Sequence, residues 1–205
     1  FELGLFGKID IQADYFTEYR SNILMDRAQV PASMGLQSPI RANVGEASSK
    51  GFEMSLDYKD NVTSDLFVAV RANFSFATSK YEVFEELDYV TAGLPWRSRI
   101  GLNLSQPFGY IAERLFIDEA DIANSPIQTF GDYMAGDIKY KDINNDGIID
   151  INDEVPIGYP TTPEIIYGFG TSASYKNFDF SFFFQGSARS SFFIDAYNTS
   201  PFIDT

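Results

Sequence analysis

The sequence predicts an all-β protein built from antiparallel strands. Apolar and polar residues alternate with a period of two in several separate stretches, which is typical of strands with one apolar and one polar face. Two short polar turns, at 59–61 and 176–177, join neighbouring stretches. Aromatic residues make up 16% of the chain, a high share for an ordinary soluble domain. No apolar run approaches the ~20 residues that a membrane-spanning helix requires.

Three strands are predicted in the first half of the chain, over residues 4–19, 50–58 and 62–78. Residues 20–49 are predicted to form a long loop, because Pro and Gly residues interrupt the alternation there. The third strand shows the pattern most clearly, since every second side chain is apolar: Leu66, Val68, Val70, Ala72, Phe74 and Phe76. Its opposite face carries Arg71, Asn73 and Ser75.

The alternation returns at 165–175 and 178–185, which we predict to be two further strands. Phenylalanine occupies one whole face of the last strand, at Phe178, Phe180, Phe182 and Phe184. The intervening residues 79–164 form a long excursion. Within that excursion residues 96–105 also alternate, and we predict a hairpin element there.

Four phenylalanines in line on one strand face need an extended apolar surround. In a β-sandwich they would face a second sheet, whereas in a membrane barrel they would face lipid while polar side chains face the lumen. Periodicity does not distinguish these arrangements. The connections favour the barrel, because the short turns fall at one end of the strands and the long loops at the other. With the short turns on the periplasmic side, the long loops are extracellular.

Residues 142–153 have the spacing of a calcium-binding loop. Such a loop places oxygen ligands at positions 1, 3, 5 and 12, a glycine at 6, a backbone carbonyl at 7 and often a water-mediated ligand at 9. Gly147 occupies position 6 and supplies the sharp turn. Oxygen donors this crowded suit a hard cation, since carboxylates otherwise repel one another. The predicted ligands are Asp142, Asn144, Asp146, the carbonyl of Ile148, Asp150 and Asp153.

The alternative interpretation of this loop is a polar turn that binds nothing. Position 12 also departs from the pattern of a helix-flanked calcium loop, because Asp153 is shorter than the usual bidentate glutamate. Pro156 and Gly158 exclude a long helix after the loop. We therefore predict a structural Ca²⁺ clamp that stiffens a loop, rather than a signalling switch.

The charge balance and the missing residue types exclude several function classes. With 29 acidic and 15 basic residues, the chain has a net charge of −14, which disfavours binding to nucleic acid. The chain has no His, the commonest general base, and no Cys, which excludes disulfides and thiolate metal sites. Acidic clusters around Glu86 and Asp121 are interpreted as solvated surface. No nucleophile–base pair is recognisable, and we predict that the chain is not an enzyme.

Trp96, Arg97 and Arg99 form a candidate contact site for substrate or partner. Aromatic residues precede them at Tyr81, Phe84 and Tyr89, and such a patch could stack on a carbohydrate or dock a partner protein. The alternative is that these side chains only pack the long excursion against itself.

The residues between Gly136 and Gly170 resemble one known family. They contain Gly-Asp-Ile-Lys-Tyr-Lys-Asp at 136–142, the Asn/Asp/Gly loop, Ile-Gly-Tyr-Pro at 157–160 and Pro-Glu-Ile-Ile-Tyr-Gly-Phe at 163–169. This run resembles SusC/RagA-type TonB-dependent outer-membrane transporters. Supporting matches at 43–53, 108–116 and 175–187 extend the resemblance over almost the whole chain.

The resemblance implies a multi-pass β-barrel of about 22 strands in the outer membrane of a Gram-negative bacterium, closed by an N-terminal plug. It also implies a SusD-like surface lipoprotein as a lid, energy supplied by TonB through the plug, and import of oligosaccharides or peptides. Only part of such a protein is expected in residues 1–205, with the plug domain and the last barrel strands absent. The excursion 79–164 would then be an extracellular loop that carries the calcium loop 142–153.

A second hypothesis comes from a different class of protein. A secreted, calcium-stabilised β-sandwich that serves in binding or adhesion would share the alternation and the calcium loop. Such sandwiches have turns about every 8–12 residues, whereas this chain has loops of about 30 and about 85 residues, lengths uncommon in compact domains.

Overall fold

The computed structural model describes residues 1–28, 35, 40–194 and 199. Strands dominate the described part of the chain, as the alternation predicts. In chain order they are β1 (Glu2–Leu5), β2 (Ile9–Asp26), β3 (Arg41–Thr63), β4 (Leu66–Val83), β5 (Phe108–Gly109), β6 (Ala112–Leu115), β7 (Ile127–Gln128), β8 (Ile138–Tyr140), β9 (Ile148–Ile149), β10 (Val155–Pro156), β11 (Ile165–Tyr175) and β12 (Phe178–Ala188).

The long strands form one six-stranded sheet in the order β1-β2-β3-β4-β11-β12. The pairs β1/β2, β4/β11 and β11/β12 are antiparallel, which confirms the predicted class of sheet. By contacts the chain divides into two compact units. The first comprises 1–18, 49–78 and 159–205, and the second comprises 19–48 and 79–158.

In the first unit, the register aligns the apolar faces of three strands. Phe169 lies opposite Ala72 of β4 on one side and opposite Phe184 of β12 on the other. Because the side-chain period of a strand is two, these pairings place every predicted apolar side chain of β4, β11 and β12 on one face. Phe178, Phe180, Phe182 and Phe184 are 40–78% exposed. Among the described residues of this unit, no second sheet covers them.

Phe183 departs from the alternation, because it lies on the polar face of β12. Its ring covers Gly168 and Gly170 of the neighbouring strand: a Cβ atom built on Gly168 would lie 2.7 Å from the ring, and one built on Gly170 would lie 2.8 Å away. Because these two glycines have no side chains, the Phe183 ring packs directly against the backbone of β11. The sequence pattern, read as alternation alone, assigns no role to this residue.

Several strands are longer than predicted, since β2 continues to Asp26, β3 starts at Arg41 and β4 continues to Val83. Gly45, which interrupts the alternation, is inside β3. The side chain of Met25 fills the space where a Cβ atom of residue 45 would lie. A glycine that interrupts the pattern here accepts a neighbouring side chain and does not end the strand. The rest of the predicted loop, from 29 to 39 apart from Gly35, lies outside the described residues.

The turns also differ from the predictions in detail. A turn at 6–8 separates β1 from β2, with Phe6 and Gly7 at φ 55° and 64°. Left-handed backbone at two successive residues reverses the chain within one tight turn, so the single strand predicted over 4–19 is a hairpin. The turn between β3 and β4 falls at 64–65. The predicted turn at 176–177 is confirmed.

The second unit has short elements and a small core. It contains the antiparallel pairs β5/β10 and β6/β8, the parallel pair β7/β9 and one helix, α1 (Glu119–Ala123). The buried apolar residues among the described part of this unit are Ala47, Phe116, Ile149 and Val155. The hairpin predicted over 96–105 is wrong: Pro95 opens a single 3₁₀ turn, Pro95–Arg97, and irregular chain follows.

Helices are few throughout. In the part of the chain that the structure describes, no helix has the length and apolar character needed to cross a bilayer.

Candidate functional site

The predicted calcium loop is coiled by its own side chains. The Asp142 carboxylate accepts the Asn145 amide at 2.6 Å and the Gly147 amide at 2.8 Å. The Asn144 side-chain oxygen accepts the Asp146 amide at 3.0 Å, and a further turn of this kind joins Asp146 to the amide of residue 148 at 2.8 Å. Successive Asx turns of this kind wind the backbone into a tight ring.

Two residues of the ring have a left-handed backbone. Gly147 has φ 85°, which confirms its predicted role as the sharp turn, and Asn145 has φ 60°. Asn is among the few residue types other than glycine that adopt this conformation readily. The spacing of glycine and asparagine in the sequence is therefore explained by the ring geometry.

Asp153 closes the loop from inside. Its side chain is fully buried, one carboxylate oxygen accepts the Ile143 amide at 2.8 Å, and the other accepts the Asp150 amide at 2.9 Å. Asp150 in turn accepts the Asn152 amide at 2.7 Å, so that Asp150 and Asp153 form a reciprocal cap on the 3₁₀ turn Ile151–Asp153. A carboxylate that accepts backbone amides from both ends of a loop holds those ends together.

The loop offers only oxygen donors, which is the donor chemistry that Ca²⁺ requires. Within the described residues, no three acidic side chains converge closely enough to hold a metal ion. Asp142 and Asn144 are half-buried and Asp146 is exposed. Asp153 is buried, and both of its carboxylate oxygens accept backbone amides. Ile148 lies in β9, opposite Ile127 of β7. Calcium binding by this loop stays a prediction.

Trp96 connects the two predicted sites. Its indole nitrogen donates a 2.8 Å hydrogen bond to the backbone carbonyl of Asn152, and the ring is half-buried. The Arg97 guanidinium reaches the side-chain oxygen of the same residue at 3.4 Å. Trp96 therefore anchors the excursion to the predicted calcium loop, as the packing alternative for this residue expects.

Arg97 and Arg99 line a small cavity in the second unit. Its volume is about 70 Å³. The Arg97 guanidinium lies over the Tyr89 ring at 5.3 Å, and the Arg99 guanidinium lies over the Phe108 ring at 4.7 Å. The complete lining is Phe84, Glu86, Tyr89, Arg97, Arg99, Phe108 and Glu154. The sequence pattern had grouped Phe84, Tyr89 and the arginines. It had interpreted the cluster of Glu86 as solvated surface, but Glu86 is half-buried in this lining. Phe108 and Glu154 are distant in sequence and carried no such signal.

The pKa of Tyr110 is raised by burial and in part by the acidic residues of the predicted calcium loop. Burial raises the pKa of Tyr110, and the negative charges of Glu154, Asp150 and Asp153 raise it further. A phenol in this position stays neutral because its anion would meet both an apolar surround and three carboxylates.

Asp121 corrects the interpretation of its cluster as solvated surface. Its side chain is largely buried and accepts a bidentate pair of hydrogen bonds from Arg114, one of them 2.7 Å long. It also accepts the Ile117 amide at 3.1 Å. The Arg114 guanidinium, followed by that amide, holds the pKa of Asp121 well below its usual range. Nothing in the sequence indicated that Arg114 and Asp121, which are seven residues apart, form this ion pair.

Comparisons with known proteins agree on one class of protein. The chain is 29% identical over 196 residues to TonB-dependent receptor P26 of Formosa agariphila, a match that covers 88% of this chain and 18% of the receptor. It is 26% identical to TonB-dependent receptor P3 of the same organism and 23% identical to TonB-dependent receptor SusC of Bacteroides thetaiotaomicron. Each of these two matches covers 91% of this chain, and they cover 19% and 18% of the respective receptors. The chain matches no protein-family model.

Solved structures show the same fold. The RagAB peptide importer in its closed-closed state matches with a TM-score of 0.61 at 20% identity, over 92% of this chain and 20% of that one. The open-open state matches with a TM-score of 0.56 at 16% identity, over 90% and 19%. The chain thus spans about a fifth of the proteins it matches. Together with the curated relatives, these matches confirm the resemblance seen in the sequence: the chain is similar in sequence to TonB-dependent receptors, SusC among them, and similar in fold to part of RagAB.

Proposed function

We propose that this chain forms part of an outer-membrane nutrient importer of the TonB-dependent type. The observation that carries the proposal is the continuous apolar face of β4, β11 and β12, half-buried along β4 and exposed at the aromatic residues of β11 and β12, in a relative of TonB-dependent receptors. A face of this extent needs an apolar solvent, and lipid around a barrel provides one.

The proposed arrangement assigns a place to each part of the chain. The six-stranded sheet is a section of a closed barrel of about 22 strands, whose apolar face meets lipid and whose polar face meets the lumen. The long excursion is extracellular. A SusD-like lipoprotein covers the barrel from outside, TonB acts from the periplasm through a plug, and the imported substrate is an oligosaccharide or a peptide.

Membrane partition and uptake test this function. The full-length protein should enter the detergent phase, and cells that lack it should lose growth on the oligosaccharide or peptide that it imports. That loss should be reproduced by removing TonB. A full-length protein found free in the culture medium, without detergent, would overturn the proposal and favour the secreted β-sandwich.

We also propose that the loop 142–153 binds Ca²⁺ as a structural clamp in the extracellular excursion. The ring of Asx turns holds Asp142, Asn144 and Asp146 on one stretch of backbone, and each carboxylate oxygen keeps a lone pair beyond the amide that it accepts. The Ile148 carbonyl and Asp150 would complete the ligands, while Asp153 would add one from below. A stiff loop lowers the entropic cost of docking a partner.

A further inference from the structure

Two arginines of the second unit share a small cavity, and its chemistry points to a ligand. We infer that Arg97 and Arg99 bind a carboxylate group of an extracellular ligand in the cavity of about 70 Å³ that they line. The inference rests on the proposed import function only in taking the ligand to be a peptide or a glycan.

Arg97 and Arg99 differ from five other described arginines in making no ion pair with a carboxylate. Five other arginines among the described residues lie within 4.0 Å of a carboxylate: Arg27, Arg41, Arg71, Arg114 and Arg189. No described carboxylate lies within that distance of the Arg97 or Arg99 guanidinium. This is unexpected in a chain with 29 acidic and 15 basic residues. Two neighbouring guanidinium groups that make no direct ion pair keep N–H donors for an external anion.

Aromatic rings hold both guanidinium groups in place. The guanidinium carbon of Arg99 lies over the Phe108 ring at 4.7 Å and over the Phe84 ring at 5.9 Å, and that of Arg97 lies over the Tyr89 ring at 5.3 Å. A ring attracts a guanidinium through its π face without accepting a conventional hydrogen bond, so N–H groups stay available for other acceptors. The donors are thus preorganised, which reduces the entropic cost of binding.

Glu86 holds the segment of the two arginines without a direct ion pair to either guanidinium group. One of its carboxylate oxygens accepts the Ser98 hydroxyl, and the other accepts the backbone amide of Arg99 at 2.9 Å. Its carboxylate therefore accepts hydrogen bonds from two groups of the segment that carries the arginines. This fixes the segment between Arg97 and Arg99.

The size and charge of the cavity select the ligand group. About 70 Å³ accommodates a group the size of roughly two water molecules, such as a carboxylate. A planar carboxylate matches the fork of a guanidinium in a bidentate pair. Glu154, also in the lining, repels a second negative charge and would accept a hydrogen bond from a neighbouring hydroxyl or ammonium group. A peptide C-terminus, and each residue of an acidic glycan, presents one carboxylate beside such donors.

Calorimetric titration of the purified full-length protein in detergent micelles tests the inference. The probes are trialanine, trialanine with an amidated C-terminus, trigalacturonate and neutral maltotriose. We expect at least one of the two acids to bind, with its counterpart that lacks a carboxylate binding more weakly by about tenfold or more. Arg97→Gln and Arg99→Gln should each weaken that acid by about tenfold or more. Lys141→Gln, which removes one exposed positive charge from the same unit, should leave its affinity unchanged.

Each outcome is decisive. Binding of trialanine alone would identify a peptide C-terminus, and binding of trigalacturonate alone would identify an acidic sugar. Equal affinity for the probes with and without a carboxylate, unchanged affinity in both Gln variants, or no binding of either acid would overturn the inference. Arg99→Lys keeps the charge but loses the bidentate fork, so it should bind with intermediate affinity even if a Gln variant melts early. Uptake and membrane partition test the transporter function separately, since neither requires this cavity to be occupied.

Discussion

The indole nitrogen of Trp96 lies 2.8 Å from the carbonyl oxygen of Asn152 and donates a hydrogen bond to it. Through this contact, the segment that carries Arg97 and Arg99 is fixed to the Asp/Asn loop, although 56 residues separate the two partners. A change in the order of the loop therefore reaches the arginine cavity through a direct hydrogen bond.

Trp96→Phe should loosen the loop without unfolding the sheet. The substitution keeps an aromatic ring but leaves the Asn152 carbonyl without its donor, which costs about 1 kcal/mol. Hydrogen exchange should therefore become faster at the amides of the 3₁₀ turn Ile151–Asp153 and stay unchanged in β11 and β12. Equal exchange rates in that turn for both proteins would show that the hydrogen bond does not hold the loop.

Asp146→Ala should reduce calcium affinity and expose the loop to proteases, while the strands stay intact. The change removes a proposed ligand and the acceptor for the Ile148 amide. Cleavage between 139 and 156 should increase in the variant, and in the wild type it should increase when a chelator is added. Asp132→Ala, an exposed position in the same unit, is the control and should behave as the wild type does. Protection that is equal in variant and wild type, with and without chelator, would refute the clamp.

The ion pair between Asp121 and Arg114 should make the second unit sensitive to acid. Because the pKa of Asp121 is lower in the folded than in the unfolded chain, the pair stabilises the fold above the unfolded value of about 4. Protonation removes this stabilisation as the pH falls from about 5 through the folded pKa. Thermal melting between pH 5 and pH 3 should show a smaller decrease in melting temperature for Asp121→Asn than for the wild type. The same slope in both proteins would contradict the assignment.

Phe182→Asp should impair insertion of the full-length protein into membranes. Phe182 lies on the apolar face opposite Thr171, and a charge on the lipid face of a barrel costs roughly 2–4 kcal/mol or less. Ser181→Asp places the same charge on the opposite face and serves as the control. The yield of heat-modifiable, detergent-folded protein should fall for the first variant only. If Phe182→Asp folds as well as the wild type does, this face does not meet lipid.

The sheet could be predicted from the sequence because its signal is local. The alternation within each strand shows which face of the sheet Phe74, Tyr167 and Phe169 occupy. Pairing of β4 with β11 then places these residues on the same face. Strand ends were harder to predict, because the reason for the glycine at position 45 lies in the neighbouring strand. The side chain of Met25 occupies the space that a side chain at position 45 would need.

The candidate sites show the same division between local and distant information. The ring of Asp142, Asn144 and Asp146 is made by residues two to five positions apart, so spacing alone indicated it. The arginine cavity also requires Phe108 and Glu154, which reach it only after the excursion has folded. The burial of Asp121 depends on Arg114, a partner on another element, and composition suggested a solvated surface instead.

Gly168 and Gly170 both lie beneath the Phe183 ring, yet they restrict sequence change to different degrees. The three atoms nearest to a methyl group at 168 all belong to side chains, those of Phe183 and Asn73, so a smaller residue at 183 together with a shift of the Asn73 side chain could make room for it. At 170 the same group would lie 2.4 Å from the backbone oxygen of Phe182, which no side-chain replacement can relieve. The first glycine can therefore change together with the side chains around it, whereas the second glycine is fixed by the main chain of its neighbour.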